Sequence, residues 1–351
     1  MMKGELEMNR KDFMLLGACF LAVDLLLGVA GCSGGKNDKT ASTGNQVITL
    51  RLSHAYDEKQ PLHQATVKFA EIVSQKTDGK VQIKIYPNST LGTPREATEG
   101  VKLGTVDMAL IPTTNAAVFY NKLDLFYLPF LFVNKEHAYA VSDGAVGNKL
   151  YEDFRQKTGI RTLVMLESGF RQITNSKKPI HAVNDMSGVK LRVTDSPINV
   201  DTFNSLGVIS CPMAISELFT ALQQGTVDGQ DNPIVNVYTF GYYKVQKYLT
   251  LTRHQWAGIM MFISDKQWNK LTPEYQKILQ AAATEVAAWE RKEINQKEKE
   301  YLDVMKKEGM KVIELTPAER KQFQDKMQAV WVKYQDNIGK DIIEAAVKTK
   351  Y

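Results

Sequence analysis

The sequence predicts an α/β protein of about two domains, built on mainly parallel sheets flanked by helices. The chain has 351 residues, 44% of them hydrophobic and 24% charged, which is enough for a sizeable core. From residue 47 onward, strand-like and helix-like segments alternate, as they do in parallel β-α-β units. Residues 273–309 have no proline after Pro273 and are rich in strong helix formers. They predict a helix of about 50 Å, longer than one small domain is wide, which spans both domains.

The individual elements follow from the spacing of apolar side chains. Residues 48–55 alternate apolar and polar side chains, which predicts a strand, and residues 63–79 place apolar side chains at helical spacing before Gly79. By the same criteria, the further predicted strands are 81–87, 106–112, 160–168, 189–195 and 311–315. The further predicted helices are 95–104, 197–206, 216–225, 273–309 and one that begins at Pro317.

Residues 1–31 predict a cleaved signal peptide. Asp24 interrupts their apolar run, which does not suit a transmembrane helix of about 20 apolar residues. The run ends in Val-Ala-Gly-Cys, which resembles a bacterial lipobox, so we expect Cys32 to be lipidated and to become the mature N-terminus. Residues 32–46 are polar and predict a flexible tether. Acidic residues cancel the basic ones near Met1, and a start at Met8 would give a more usual signal peptide.

The cysteine count excludes an internal disulfide in the folded part of the mature chain. Of the three cysteines, Cys19 lies in the signal peptide and Cys32 is the expected lipid anchor, which leaves Cys211. Cys211 precedes Pro212 and has no histidine near it in sequence, so we expect a small buried hydrophobic side chain and not a nucleophile.

The sequence carries no motif of nucleotide, metal or hydrolase chemistry. It has no phosphate-binding loop, no G-x-G-x-x-G and no G-x-S-x-G, and its five histidines lack the spacing of a helical zinc pair. The net charge of +5 is small and comes without a block of basic residues, which argues against nucleic-acid binding. We therefore expect an exported binding protein, not an enzyme, with no cofactor and no metal.

Six segments of the folded chain resemble a single family. They are GKVQIKIYPNSTLG (79–92), EGVKLGTVDMAL (99–110), LPFLF (128–132), GFRQITN (169–175), SGVKLRV (187–193) and SELFTALQQGTVDGQDNP (216–233). In this order they are similar to the solute-binding proteins of tripartite ATP-independent periplasmic (TRAP) transporters, over essentially the whole folded chain. The resemblance implies a two-lobed, periplasmic-binding-protein-like fold that closes by a hinge around a small organic carboxylate.

The resemblance also implies lobe boundaries, partners and a location. Lobe one would comprise residues 47–168 plus 257–296 and lobe two residues 169–256 plus 297–351, with the long helix bridging them. The implied partners are a small and a large TRAP membrane subunit, and the protein would be extracytoplasmic, lipid-anchored to the cell membrane or periplasmic. The alternative from another class is a ligand-sensing binding protein coupled to a receptor.

Three residues of these segments carry the binding role that the resemblance implies. Arg192 of the G-x-K-x-R-V segment would form a bidentate ion pair with the ligand carboxylate, and Arg171 of the G-x-R-Q segment would support it. Asn232 would help to hold the carboxylate and the arginine. The sequence departs from the family at Asp231, where a glutamate is usual; because the charge is conserved, we expect little harm to the site.

Physical chemistry supports the assignment of Arg192 independently. An arginine that faces inward from an apolar strand is costly unless it is paired, because it cannot lose its proton. Its planar fork matches a carboxylate with two parallel hydrogen bonds. The alternative is a structural ion pair between Arg192 and either Asp195 or Glu217.

Further candidate ligand contacts come from positions near strand ends. His54 follows the first strand, Glu96 opens a helix, Asn115 follows the third strand, and Phe170 is an aromatic residue able to stack on a ligand. Since His54 and Glu96 are suited to hydroxyl groups, they favour a sugar acid such as a uronate or an aldonate. C4-dicarboxylates, sialic acid and 2-oxo or amino acids remain alternatives.

Overall fold

A computed structural model describes residues 47–351 of the chain. The predicted signal peptide (1–31), the tether (32–46) and the lipidation site Cys32 lie outside the described residues. Among the helices that are described, none is both long and apolar enough to cross a membrane.

The described part of the chain forms strands and helices that largely match the predicted ones. The strands are β1 (Ile48–His54), β2 (Val81–Tyr86), β3 (Met108–Pro112), β4 (Ile160–Asn175), β5 (Lys190–Val193), β6 (Ile209–Pro212), β7 (Gly229–Pro233), β8 (Tyr248–Leu251), β9 (Trp256–Ser264) and β10 (Lys311–Glu314). The α-helices are α1 (Pro61–Lys76), α2 (Pro94–Leu103), α3 (Thr113–Ala117), α4 (Lys135–Asp143), α5 (Ala145–Thr158), α6 (Pro197–Asn204), α7 (Ile215–Gln223), α8 (Ile234–Thr239), α9 (Asp265–Trp268), α10 (Pro273–Lys307), α11 (Pro317–Ile338) and α12 (Lys340–Val347). Short 3₁₀ helices occupy Asn121–Tyr127, Val183–Met186 and Tyr242–Lys244.

The strands follow one another in the order β2-β1-β3-β9-β4-β7-β5-β6, and β8 pairs with both β4 and β10. The outer pairs, β1 with β2 and β3, β5 with β6 and β7, and β8 with β10, are parallel. In the centre, β9 is antiparallel to β3 and β4, and β4 is antiparallel to β7 and β8. The expectation of mainly parallel sheets therefore holds at the edges, while the centre, where the chain crosses between the sheets, is antiparallel.

Strand β4 joins the two sheets and is longer than the predicted strand 160–168. Its first part, up to Phe170, pairs with β9 in one sheet, and Arg171–Asn175 pair with β7 and β8 in the other. The register shifts between Glu167 and Phe170, and Gly169 there has a φ of +95°, which a side chain would strain. The sequence pattern ended at this glycine, but the strand bends there and continues.

Helix α10 confirms the prediction of one long helix that spans both lobes. It has 35 residues, and its first half packs Leu279 and Val286 into the core beneath β1, β3 and β9. Its second half packs Ile294, Tyr301 and Met305 into a separate core with residues of α7, α8 and β8. The helix thus fixes the position of one sheet's core relative to the other.

A buried polar network lies where β4 and α10 meet. Glu167 accepts hydrogen bonds from Trp256 Nε1 at 2.7 Å and from the Tyr139 hydroxyl, and Lys135 Nζ lies 3.6 Å from its carboxylate. The Glu290 carboxyl accepts the Glu167 backbone N–H at 3.4 Å. Burial, and then the charge of Glu167, raise the pKa of Glu290 well above its ordinary value, so this carboxyl holds its proton.

We predict that Glu290→Gln makes the stability of the protein less dependent on pH. Because the folded-state pKa of Glu290 is raised, its contribution is complete below the ordinary value of 4.5 and is lost as the pH rises towards the folded-state pKa. Glutamine cannot ionise, so the free energy of unfolding of this variant should fall less than that of the wild type between about pH 5 and about pH 8.

Urea denaturation across this pH range measures the effect. The matched control is Glu285→Gln, an exposed change on the same helix, which should leave the wild-type profile in place. Parallel pH profiles for Glu290→Gln and the wild type would contradict the prediction.

Candidate functional site

A cavity lies between the ends of the strands of the two sheets. Its lining includes six polar residues: Tyr56, Asn115, Ser168, Arg171, Arg192 and Asn232. Tyr56 and Asn115 follow β1 and β3 of the first sheet, whereas Arg192 and Asn232 lie on β5 and β7 of the second. Four of the seven predicted contacts, Arg192, Arg171, Asn232 and Asn115, therefore line one cavity. As ligand contacts, they remain predictions.

Arg192 is buried, with 2% of its surface exposed, and has no carboxylate within 4.0 Å among the described residues. Its Nε and Nη2 donate to the backbone oxygen of Met213 at 3.1 and 2.8 Å. Burial lowers the pKa of Arg192, but a guanidinium stays charged at any ordinary pH. The second terminal nitrogen, Nη1, makes no hydrogen bond within the described part of the chain, so the fork is oriented but incompletely used.

The alternative of a structural ion pair for Arg192 is wrong in this structure. Asp195 lies 3.6 Å from Arg95 instead, at the mouth of the cavity, where both side chains are about half exposed. Glu217 accepts the backbone N–H of Ala214 at 3.1 Å and so caps the start of α7. Each of the two acids has a local role, and the charge of Arg192 is left uncompensated by them.

Arg171, in contrast, is fully engaged by Asp231. Its Nε donates to the Asp231 carboxylate, its Nη2 donates to the Asp231 backbone oxygen at 2.6 Å, and its Nη1 lies 3.5 Å from the Tyr127 hydroxyl. Burial opposes the charge of Arg171, but Asp231 and Tyr127 raise its pKa above the ordinary value. Burial likewise opposes the charge of Asp231, but Arg171 and His254, whose Nε2 lies 3.4 Å from the carboxylate, lower the pKa of Asp231. The pair is neutral overall, so it supports the cavity wall without offering a free charge.

A chain of buried amides fixes the orientation of Asn232. Asn236 Nδ2 donates to Asn232 Oδ1 at 3.0 Å, and Asn232 Nδ2 donates to Gln230 Oε1 at 2.5 Å. Gln60, just before α1, donates to Asn236 Oδ1 at 3.0 Å, which extends the chain to the first sheet. Since an amide nitrogen carries two hydrogens, Asn232 keeps one N–H for a ligand. The cavity lining therefore contains a neutral hydrogen-bond donor, Asn232, in addition to the charged donor Arg192.

His54, Glu96 and Phe170 do not line the cavity, and each has another role. His54 Nδ1 accepts the Tyr56 N–H at 3.1 Å, and burial lowers the pKa of His54 to about 3, so it is neutral. Glu96 closes a capping box by accepting the Thr93 backbone N–H at 2.8 Å. Phe170 is buried in a hydrophobic core. As ligand contacts these three remain predictions, to which the structure adds no support.

Two lining residues, Tyr56 and Ser168, were not singled out from the sequence. Tyr56 comes two residues after β1, where α/β folds place ligands beyond strand ends, so its position carried a usable signal. Ser168 comes directly before Gly169, and only the bend of β4 at that glycine brings it to the cavity.

The chain matches known proteins over most of its length. The family model of bacterial extracellular solute-binding proteins, family 7, matches residues 52–337. The 2,3-diketo-L-gulonate-binding periplasmic protein of Escherichia coli (strain K12) is 33% identical over 298 residues, 85% of this chain and 89% of that protein.

Solved structures agree with the fold. The sugar acid binding protein of Advenella mimigardefordensis strain DPN7T in complex with galactonate is 32% identical, with a TM-score of 0.84 over 87% of this chain and 98% of that chain. A TRAP periplasmic solute-binding protein of Shewanella oneidensis with bound succinate is 31% identical, with a TM-score of 0.83 over 87% of this chain and 100% of that chain. The likeness confirms the α/β, two-lobed, periplasmic-binding-protein-like fold.

We predict that Asp231→Asn destabilises the protein by about 3–5 kcal/mol, because it leaves the Arg171 guanidinium buried without its counter-charge. The change preserves shape, so the loss reports charge and not packing. Urea denaturation of the two proteins measures it. Asp195→Asn, which removes a half-exposed partner of Arg95, is the control and should cost less than about 1 kcal/mol. Equal stabilities of Asp231→Asn and Asp195→Asn would show that the buried pair has no such role.

Proposed function

The chain belongs to the bacterial extracellular solute-binding proteins, family 7, the binding components of TRAP transporters, and we propose that its cavity holds a small organic carboxylate on Arg192. Members of this family bind organic acids outside the cytoplasm and work with TRAP membrane subunits; they are transport proteins and not enzymes. In this proposal the protein delivers its ligand to a small and a large membrane subunit.

The uncompensated charge of Arg192 carries the proposal. A buried guanidinium without a carboxylate is costly, and a ligand carboxylate removes that cost through two parallel hydrogen bonds. The hydrogen bonds to Met213 leave both hydrogens of Arg192 Nη1 and one of Nη2 for two such bonds, and Asn232 has a further N–H beyond its bond to Gln230. Arg171 supports the site indirectly: Asp231 and Tyr127 hold it, and this neutral pair keeps the wall beside Arg192 in place.

Among organic acids, we favour a sugar acid such as an aldonate or a uronate. Arg192 supplies one free positive charge in the enclosed part of the cavity, which matches one carboxylate. Arg95 is a further cation of the lining, but it lies at the mouth and has Asp195 as a partner. Two similar proteins are described as binding 2,3-diketo-L-gulonate and galactonate.

The alternatives differ in ligand or in role. A C4-dicarboxylate is favoured by the Shewanella oneidensis structure with succinate, and would require Arg95 to leave Asp195. Sialic acid and 2-oxo or amino acids would use the same carboxylate position. A sensing protein coupled to a receptor would bind in the same way and differ only in its partner.

Two further parts of the proposal concern the whole chain. We propose lobes of 47–168 plus 257–296 and 169–256 plus 297–351 that close by a hinge, and the bend of β4 at Gly169 supports the first boundary. We also propose that the protein is lipid-anchored through Cys32 after removal of the signal peptide.

We predict that Arg192→Ala and Arg192→Lys weaken ligand binding about 100-fold or more while the protein still unfolds cooperatively. Neither side chain reproduces the planar fork, and 100-fold corresponds to about 2.7 kcal/mol, within the cost of losing one partner of a buried charge pair. A thermal-shift screen of organic acids identifies the ligand, because a ligand at about 100 times its Kd adds about 2.7 kcal/mol of stability.

Isothermal titration of the best acid into wild type and variants then tests the role of Arg192. Arg253→Lys is the matched control, because Arg253 is exposed, pairs with Glu314 and lies outside the cavity lining. Wild-type affinity in Arg192→Lys would refute the proposed site.

A further inference from the structure

Two neighbouring hydroxyl groups in the cavity wall, those of Tyr56 and Ser168, are close enough to interact with each other, but neither makes a hydrogen bond of good geometry among the described residues. The Tyr56 hydroxyl and Ser168 Oγ are both fully buried, in side chains of which 2% is exposed. Both residues line the cavity. Buried polar groups in proteins are usually hydrogen-bonded, and because these two line the cavity, an occupant is placed to supply the hydrogen bonds that the described chain does not.

Both hydroxyls are held in place by the surrounding structure. The Tyr56 backbone N–H donates to His54 Nδ1 at 3.1 Å, and its ring stacks on His54 with centroids 5.8 Å apart. Ser168 lies in β4 between Glu167, which is engaged by Trp256, and the bend at Gly169. Neither residue is at the mouth of the cavity, where solvent would satisfy it.

Each of the two hydroxyl groups can both donate and accept a hydrogen bond, and a ligand hydroxyl uses both capacities. Burial raises the pKa of the Tyr56 phenol far above neutrality, so it is an uncharged donor and acceptor, as is Ser168. A ligand hydroxyl donates to one such group and accepts from another, whereas a carboxylate only accepts. The wall that contains Tyr56 and Ser168 thus complements a hydroxylated carbon chain, and Arg192 complements the carboxylate.

We propose that Tyr56 and Ser168 are specificity-determining residues that hydrogen-bond hydroxyl groups of the ligand and so select hydroxy acids over carboxylates without hydroxyls. The inference rests on the proposed function, since it takes the ligand carboxylate to lie on Arg192. A site built to hydrogen-bond a substrate hydroxyl discriminates strongly against analogues that lack it, because its own buried groups are then left unpaired.

The test is isothermal titration of wild type, Tyr56→Phe and Ser168→Ala with galactonate, D-erythronate and succinate. Each variant should bind the hydroxy acids about tenfold more weakly, as expected for one lost hydrogen bond, and bind succinate no more weakly than the wild type does. Tyr151→Phe and Ser264→Ala are matched controls: each removes a buried, unpartnered hydroxyl that does not line this cavity. Both controls should keep the wild-type affinities.

The other outcomes distinguish a failure of the specificity role from a failure of the proposed function. Unchanged affinity for the hydroxy acids in both variants overturns the specificity role, as does an equal loss for all bound acids. A wild type that binds succinate and neither hydroxy acid also overturns it, yet leaves the proposed carboxylate site intact. A wild type that binds no acid of the thermal-shift screen overturns the proposed function itself.

Discussion

The buried guanidinium of Arg192 is the constraint on which the site depends. Two buried arginines, Arg171 and Arg192, line the cavity, and Asp231 is the one acid within 4.0 Å of either among the described residues; geometry commits that acid to Arg171. His254 adds no charge, because burial lowers its pKa. The arrangement therefore leaves one positive charge in a region of low dielectric, where its interaction with an anion is much stronger than in water. An ion-pair network that was complete without a ligand would have no such preference.

The scaffold keeps this charge in a fixed geometry before any ligand arrives. Met213 holds two nitrogens of Arg192, and the amide chain from Gln60 through Asn236 sets the direction of the Asn232 side chain. These contacts join β5 and β7 of the second sheet to helix α8 and to the residue just before α1. Such preorganisation reduces the ordering cost of binding, so that more of the ion-pair energy appears as affinity.

The sequence predicted the strands, the helices and the main polar residues of the cavity better than it predicted the remaining residues that line the cavity. Arg192 and Asn232, which both line the cavity, were singled out by the family motif, and for Arg192 the inward position beside apolar neighbours pointed the same way. Glu96 was assigned to ligand, although its spacing from Thr93 is that of a capping box, a local interaction visible in the sequence. Ser168 was missed because its place depends on the bend of β4, and the antiparallel centre was missed because alternation of strands and helices does not reveal where a strand changes sheet. Patterns local in the sequence thus predict helix caps and the buried faces of helices and strands. They do not predict where a strand passes from one sheet to another.

The same charge that binds the ligand also links binding to closure of the two lobes in the proposed function. Tyr56 and Asn115 reach the cavity from the first sheet, while Arg192 and Asn232 reach it from the second, so the low-dielectric environment exists only when the sheets face each other closely. A ligand shifts such an equilibrium only by the difference between its affinities for the two states. For a carboxylate that difference is large, because water screens its pairing with Arg192 in an open cleft and leaves in the closed one. Without the anion, closure buries an unpaired charge and is disfavoured. In the proposed function the carboxylate is therefore the part of the ligand that drives closure, and the remaining contacts decide which carboxylate is accepted.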